Sequence, residues 1–163
     1  MERQNPVRPA DDDARAIARA ILRKSRIAAL GVIHPDTGAP CLSRIAFGLS
    51  GDGTGLSLVS DLALHSRALR QDPRASLLLG EAGERGDPLN HPRLSLQVTS
   101  RFVAPDEARR LDLRAAWLKW HPKSKLYVDF ADFHFVAFDI DAANLNAGFA
   151  KAYALGPNDL KIG

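Results

Sequence analysis

The chain has 163 residues, 45% hydrophobic and 25% charged, with a formal net charge of +3, the balance of one ordinary globular domain able to bury a core. That small excess of positive charge is scattered and few aromatic residues accompany it, so no nucleic-acid surface is expected. The single cysteine, Cys41, excludes an intrachain disulfide and a cysteine zinc cluster, and no apolar run reaches transmembrane length.

Residues 1–10 are polar and proline-containing, lack the apolar centre of a signal peptide, and read as a flexible arm before a single domain over 11–163. A cytoplasmic protein without a membrane partner is the expectation. Asp11-Asp12-Asp13 opens a helix, with carboxylates where the helix dipole favours them. Ala14, Ile17, Ala18, Ile21 and Leu22 recur at helical spacing as its apolar face. Ile27–Ile33 reads as a strand, His34–Pro40 as a turn, and Cys41–Leu49 as a second strand completing a hairpin. After a turn at Gly51–Gly55, Gly55–Val59 is a third strand, so three strands meander antiparallel.

A short helix follows and must end at Asp72-Pro73, because the residue before a proline avoids helical backbone. Ala75–Leu79 is the fourth strand and Glu81–Pro92 a loop. Arg93–Val103 is a long strand with Leu94, Leu96, Val98 and Phe102 on alternating positions. Pro105-Asp106-Glu107 starts a second long helix, stopped by His121-Pro122, with Leu111, Ala115 and Leu118 as its buried stripe and Trp117 or Trp120 near it. Phe133–Ile140 is a strand, and Asn144–Tyr153 is the last one, with Gly148-Phe149-Ala150 inside it. Strands without βαβ alternation give a mainly β, α+β architecture: an antiparallel barrel with peripheral helices.

The first turn of the short helix holds His65, Ser66 and Arg67. Such turns carry unpaired N–H groups and partial positive charge, so an imidazole, a hydroxyl and a guanidinium there form a phosphate pocket. The plain alternative is a solvated helix with ordinary surface charge. Other chemistries lack their signatures. The five histidines show no His-x-x-x-His spacing, so no metal is expected, and there is no Gly-x-Ser-x-Gly, Gly-x-Gly-x-x-Gly or P-loop.

Ser43-Arg44-Ile45-Ala46-Phe47, Leu58 to Leu69, and Asp72-Pro73-Arg74-Ala75-Ser76-Leu77-Leu78 follow one another in an order that resembles the FMN-binding split barrels related to pyridoxamine 5′-phosphate oxidase. The chain is most similar to their branch of HugZ-type heme-utilisation proteins. Asp87-Pro88-Leu89, Pro92 to Leu96, Asp129 to Phe133, and Ala147 to Ala152 extend the likeness over residues 15–160. The resemblance implies a homodimer of six-stranded split barrels with two FMN sites at the dimer interface. It implies that Arg44, with neighbouring Ile45, reaches the FMN phosphate. Val59 and Ser60 then meet the flavin or its ribityl chain, and His65, Ser66 and Arg67 form the phosphate turn. Leu96 and Gln97, or the loop from Asn146 to Phe149, are the expected contributions of the partner subunit.

Ser66 stands where relatives carry Thr, Ala68 where they carry Asn, and Ala150 replaces the second glycine of Gly-Phe-Gly. The arginine-containing substrate motif of the true oxidases is absent, so the resemblance carries the fold and the FMN site but not that substrate. An FMN-dependent oxidoreductase of unknown small-molecule substrate is the reading. Its alternatives are a heme-binding or heme-degrading protein and a non-catalytic flavin carrier.

Overall fold

The computed structural model describes residues 6–162. Along the chain run β1 (Val7–Pro9), α1 (Asp12–Lys24), β2 (Ile27–Ile33), β3 (Pro40–Ala46), β4 (Gly48–Leu49) and β5 (Gly55–Ser60). They are followed by α2 (Leu64–Gln71), β6 (Arg74–Leu79), β7 (Arg93–Phe102), α3 (Pro105–Arg110), α4 (Leu113–Trp120), β8 (Phe133–Asn146) and β9 (Ala152–Leu155). Short 3-10 turns cover Pro88–Asn90, Pro122–Leu126 and Pro157–Leu160.

The strands form one sheet in the order β1-β9-β8-β7-β6-β2-β3, and β5 joins it by pairing with β8. All pairings are antiparallel except β1 with β9. The fourteen residues of β8 carry the topology: one edge pairs with β7, while the other takes β5 on its first half and β9 on its second. A bulge at Asp141 of β8, opposite Gln97 and Val98 of β7, bends this long strand. No ladder joins β3 to β5, so the barrel is split there among the described residues. Ser57, fully buried on β5, bridges the gap by donating its hydroxyl to the Ala46 carbonyl at 2.7 Å.

Alternation builds the interior. Leu94, Leu96 and Val98 of β7 meet Ala28, Leu30 and Val32 of β2 in one cluster, which Ala14, Ala18 and Leu22 of α1 cover. Each fully buried leucine or valine contributes about 1.5–3 kcal/mol. Asp11 caps α1 by accepting from the Ala14 N–H at 2.7 Å. A smaller cluster lies on the other side of β5 and β8, where Leu113 and Trp117 of α4 pack on Leu56, Phe135 and Ala137. Trp117 donates its indole N–H to Ser124 at 3.1 Å, so its polar edge is satisfied inside the cluster.

The expected split-barrel α+β fold is therefore present, with five corrections. Nine strands are described where six were expected, and β1, β4 and β9 are only two to four residues long. Part of the expected flexible arm is a strand, since Val7–Pro9 finds the free edge of β9; residues 1–5 lie outside the described part. The second long helix is two helices, because Asp112 takes left-handed backbone at φ 49°. That break resets the helical phase, so Leu113 and Trp117 are buried while Leu111 is 50% exposed. The meander fails as well: β3 pairs with β2 only, and β5 turns away to β8. Finally, Phe133 to Asn146 is continuous, and the expected last strand is interrupted by a turn with Gly148 at φ 126° and Ala150 at φ 58°.

Gly80, between β6 and the Glu81–Pro92 loop, has φ +92°, and a Cβ there would sit 2.6 Å from the Pro92 carbonyl oxygen. Gly80→Ala is expected to lower unfolding stability by about 2 kcal/mol. Gly51→Ala, where an added Cβ meets nothing within 4 Å, should stay within about 0.5 kcal/mol. Urea midpoints of the two variants measure this; equal midpoints contradict the packing at Gly80.

Candidate functional site

The turn from β5 into α2 is held by side chains on three sides. Ser66 is 1% exposed and donates its hydroxyl to the Ser60 carbonyl at 2.6 Å, drawing the helix start onto the strand end. Ser60 accepts from the Leu62 N–H at 3.2 Å and donates to Asp132 at 3.3 Å. The Asp61 N–H bonds the Asp132 carbonyl at 2.8 Å. The Asp61 carboxylate takes the His134 Nε2 at 2.9 Å and the Arg70 guanidinium at 2.8 Å. The His134 bond first, then Arg70, holds the Asp61 carboxyl below the usual carboxylate range. Arg70 in turn lies over the Phe102 ring, 3.9 Å from its centroid.

This turn leaves the start of α2 open. Its N-cap, Ala63, offers no side chain to the first-turn N–H groups. Unpaired N–H groups with the positive end of the dipole bind anions. His65 flanks the opening, half-buried, with Nδ1 3.1 Å from the Ser43 hydroxyl of β3. Burial pushes its pKa below the ordinary imidazole value of 6.5. Arg67 stands beside it and pairs with Asp36 of the β2–β3 turn at 2.8 Å. Both side chains of that pair are more than half exposed, so the pair is weak and an incoming anion can displace Asp36.

The expected site residues fall into three groups. Ser60, His65, Ser66 and Arg67 share the turn. Ser66 differs in role, because its hydroxyl braces the turn instead of pointing at a ligand. Ile45 and Val59 are buried at 5% and 3%, so only their main chains are open to a ligand. Arg44 and Gln97 lie apart, on the outer face of the sheet. Arg44 lines a hollow of about 440 Å³ with Ala29, Leu42, Leu78 and Gly80. Gln97 lines a neighbouring hollow of about 530 Å³ with Gly31, Ile33 and Ser76. Among the described residues, no hydrogen bond or ion pair joins Arg44 to the α2 turn. Small residues on β2 and β6 leave these hollows, and Leu42 (80% exposed) and Leu78 (46%) make the rim of the Arg44 hollow apolar. Leu96, expected to face a partner, is inside the core at 1% exposure, whereas Phe149 is 90% exposed on its turn.

Asp61, Asp132 and His134 escape a reading from sequence. Their signal is the β5–β8 register, which sets Ser60 opposite Phe133 and Val59 opposite His134. No helix among the described residues is long and apolar enough to cross a membrane.

The profile of the family described as pyridoxamine 5′-phosphate oxidase matches residues 15–147. A chloroplastic heme oxygenase, HOZ, of Arabidopsis thaliana is 31% identical over 116 residues, which cover 71% of this chain and 34% of the relative. The solved structure of a protein of unknown function from Agrobacterium tumefaciens is 30% identical with a TM-score of 0.82, covering 94% of this chain and 62% of that one. A heme binding protein from Mycobacterium smegmatis is 28% identical with a TM-score of 0.81, covering 94% and 61%. The chain thus spans about a third of the length of the curated relative it matches.

A folded-state pKa below 6.5 at His65 means that the unfolded chain binds its proton first. The His65 contribution to stability is then complete above pH 6.5 and declines as the pH falls below it. Histidine NMR titration should place the His65 midpoint below 6.5 and move it upward in a Ser43→Gly chain, which opens the ring to water. A wild-type midpoint at or above 6.5 contradicts the burial described.

Proposed function

The chain belongs to the pyridoxamine 5′-phosphate oxidase family, and we propose that it is a homodimeric FMN-binding protein that uses the flavin in oxidoreductase chemistry on a small molecule. The observation that carries this reading is the uncapped start of α2, flanked by His65 and Arg67, beside a turn that Ser60, Asp61 and Ser66 hold rigid. A dianionic phosphate needs several donors at once, and an arginine can grip two of its oxygens. The main-chain N–H groups of the α2 first turn, His65 and Arg67 would hold that phosphate. The buried Val59 and the brace at Ser60 would present main chain and hydroxyl to the rest of the cofactor.

When bound, the flavin supplies hydride or single-electron transfer, and the protein supplies position and electrostatics. Arg67 would exchange Asp36 for phosphate at little cost, since an exposed pair is worth about 0–1 kcal/mol. His65, neutral because it is half-buried, offers Nε2 as a donor or acceptor once Nδ1 is engaged by Ser43.

Arg44 and Gln97 support the dimer part of the reading. Both lie on the outer face of the sheet against neighbouring hollows, and exposed Leu42 and Leu78 rim the one beside Arg44. A second copy covering this face would bury those leucines and bring Gln97 and the exposed Phe149 of each subunit toward its partner's cofactor.

Heme is the second reading, favoured by the two heme-related proteins at 31% and 28% identity. His65 is its natural ligand, because its neutral ring has Nε2 unengaged among the described residues. Titration with FMN and, separately, with hemin distinguishes the two. Under the FMN reading, purified protein binds FMN, and His65→Ala with Arg67→Ala weakens it by a hundredfold or more while sedimentation still shows a dimer. Unchanged FMN affinity in that double variant would falsify the site; tight hemin binding lost in His65→Ala, without FMN binding, selects heme.

A further inference from the structure

The loop that joins β6 to β7, Glu81–Pro92, walls two hollows. Gly80 and Glu81 border the one beside Arg44, and with Pro92 they border another of about 550 Å³ along Ile17, Ile21 and Lys24 of α1. Every residue from Glu81 to Asn90 is exposed, so no buried side chain anchors the loop. A segment without buried apolar contacts is held by hydrogen bonds and opens when they break. Here those bonds centre on one half-buried side chain, His91.

Main chain engages both nitrogens of the His91 ring. The Gly83 N–H donates to Nδ1, and Nε2 lies 2.7 Å from the Arg85 carbonyl oxygen. An amide N–H only donates and a carbonyl oxygen only accepts, so Nδ1 is bare and Nε2 carries the proton. One species alone satisfies both partners, the neutral ring protonated on Nε2. The imidazolium has N–H on both nitrogens and offers Gly83 no acceptor. Protonation of the ring and the Gly83 bond therefore exclude one another.

The chain is shaped for this clasp. A Cβ at position 83 would stand 2.9 Å from His91 Cε1, so glycine is what lets the backbone come this close to the ring. Asp87 accepts from the Leu89 N–H at 2.9 Å and starts the 3-10 turn that delivers His91. Pro92 keeps His91 extended, at φ −76° and ψ 132°. The charged groups near the ring are Glu81, Glu84, Arg85 and Asp87 of the loop, Arg93 of β7, Lys151 after the Gly148 turn, and Lys24 and Arg26 across the α1 hollow. Asp87 is held by the Leu89 N–H and Arg93 by the Leu89 carbonyl. Among the described residues none of these side chains bonds the ring, whose partners are main chain alone.

We propose that His91 is a proton-operated latch for this loop: the neutral ring holds it closed, and protonation frees Gly83 and releases the wall that Glu81 and Pro92 give the two hollows. The closed loop is present above the titration midpoint of His91 and lost below it. No residue of the latch belongs to the α2 turn, so the latch stands whichever cofactor that turn takes.

The test is an NMR pH titration of the full chain without added cofactor. It follows the His91 ring nitrogens, the Gly83 amide and the heteronuclear NOE of residues 81–92, in the wild type, His91→Gln and His91→Ala. Glutamine can accept through Oε1 and donate through Nε2 at every pH, so it replaces both bonds without titrating. In the wild type the ring is expected as the Nε2–H tautomer at high pH. As it takes up its second proton, the Gly83 amide proton moves upfield and the loop NOE values fall, all with one midpoint. His91→Gln keeps the loop ordered across the same range, and His91→Ala leaves it loose throughout. An Nδ1–H tautomer, a Gly83 amide and loop NOE values that pass unchanged through the His91 midpoint, or the same pH response in His91→Gln as in the wild type overturns the proposal. No flavin or heme is present, so this outcome is separate from that of the cofactor titrations.

Discussion

The pairing of β5 with the first half of β8 is the constraint on which the rest depends. Through it, Asp132 meets the Asp61 N–H, Ser60 meets Asp132, and His134 meets the Asp61 carboxylate. These contacts fix how the chain leaves β5, and so where the open end of α2 points. The same stretch of β8 is buried on both faces, with Val136 and Phe138 in the barrel and Phe135 and Ala137 under α4. Moving it would cost packing on two sides, which is why a polar turn can be held in one geometry at the barrel's edge. The split between β3 and β5, bridged by Ser57, leaves Ser43 free to meet His65 across it.

Much of this was legible from residues. The α1 face, the β2–β3 hairpin, the alternation of β7 and the end of α2 at Asp72-Pro73 all follow local rules of period, turn chemistry and proline geometry. The turn from β5 into α2, expected to hold a phosphate, was legible as a strand-to-helix turn because it lies in eight contiguous residues, Ser60 to Arg67. What was not legible depends on distant partners or on single backbone angles. Asp112 splits a helix whose flanking composition is helical throughout, because tertiary packing of Leu113 and Trp117 outweighs local propensity. The continuity of β8 through Asp139 and Asp141 is set by its ladder with β7 and a bulge, not by alternation. Asp61 and His134 are seventy-three positions apart, so their pairing emerges only with the β5–β8 register.

The same geometry is compatible with either of the two cofactors proposed. A turn presenting N–H groups and a displaceable arginine favours a phosphate, whereas a half-buried neutral imidazole favours a metal-centred ring. Both features belong to His65 and its neighbours, and the chain, a member of the pyridoxamine 5′-phosphate oxidase family, is similar to a heme oxygenase and to a heme binding protein. What weighs toward FMN is that the brace of Ser60, Asp61 and Ser66 serves the helix start itself, not the histidine ring. A heme ligand requires only His65 and Ser43; it gives no reason for the uncapped start of α2.

The measurement that bears most directly on this account compares the affinities of FMN and riboflavin for the purified protein. The two differ only in the phosphate, so the comparison isolates the α2 turn from every contact to the ring and ribityl chain. Two charge-assisted hydrogen bonds at about 1.5–3 kcal/mol each correspond to a preference for FMN of roughly a hundredfold or more. Such a preference is the predicted result, and equal affinities for the two flavins would contradict the claim that the α2 turn is a phosphate site.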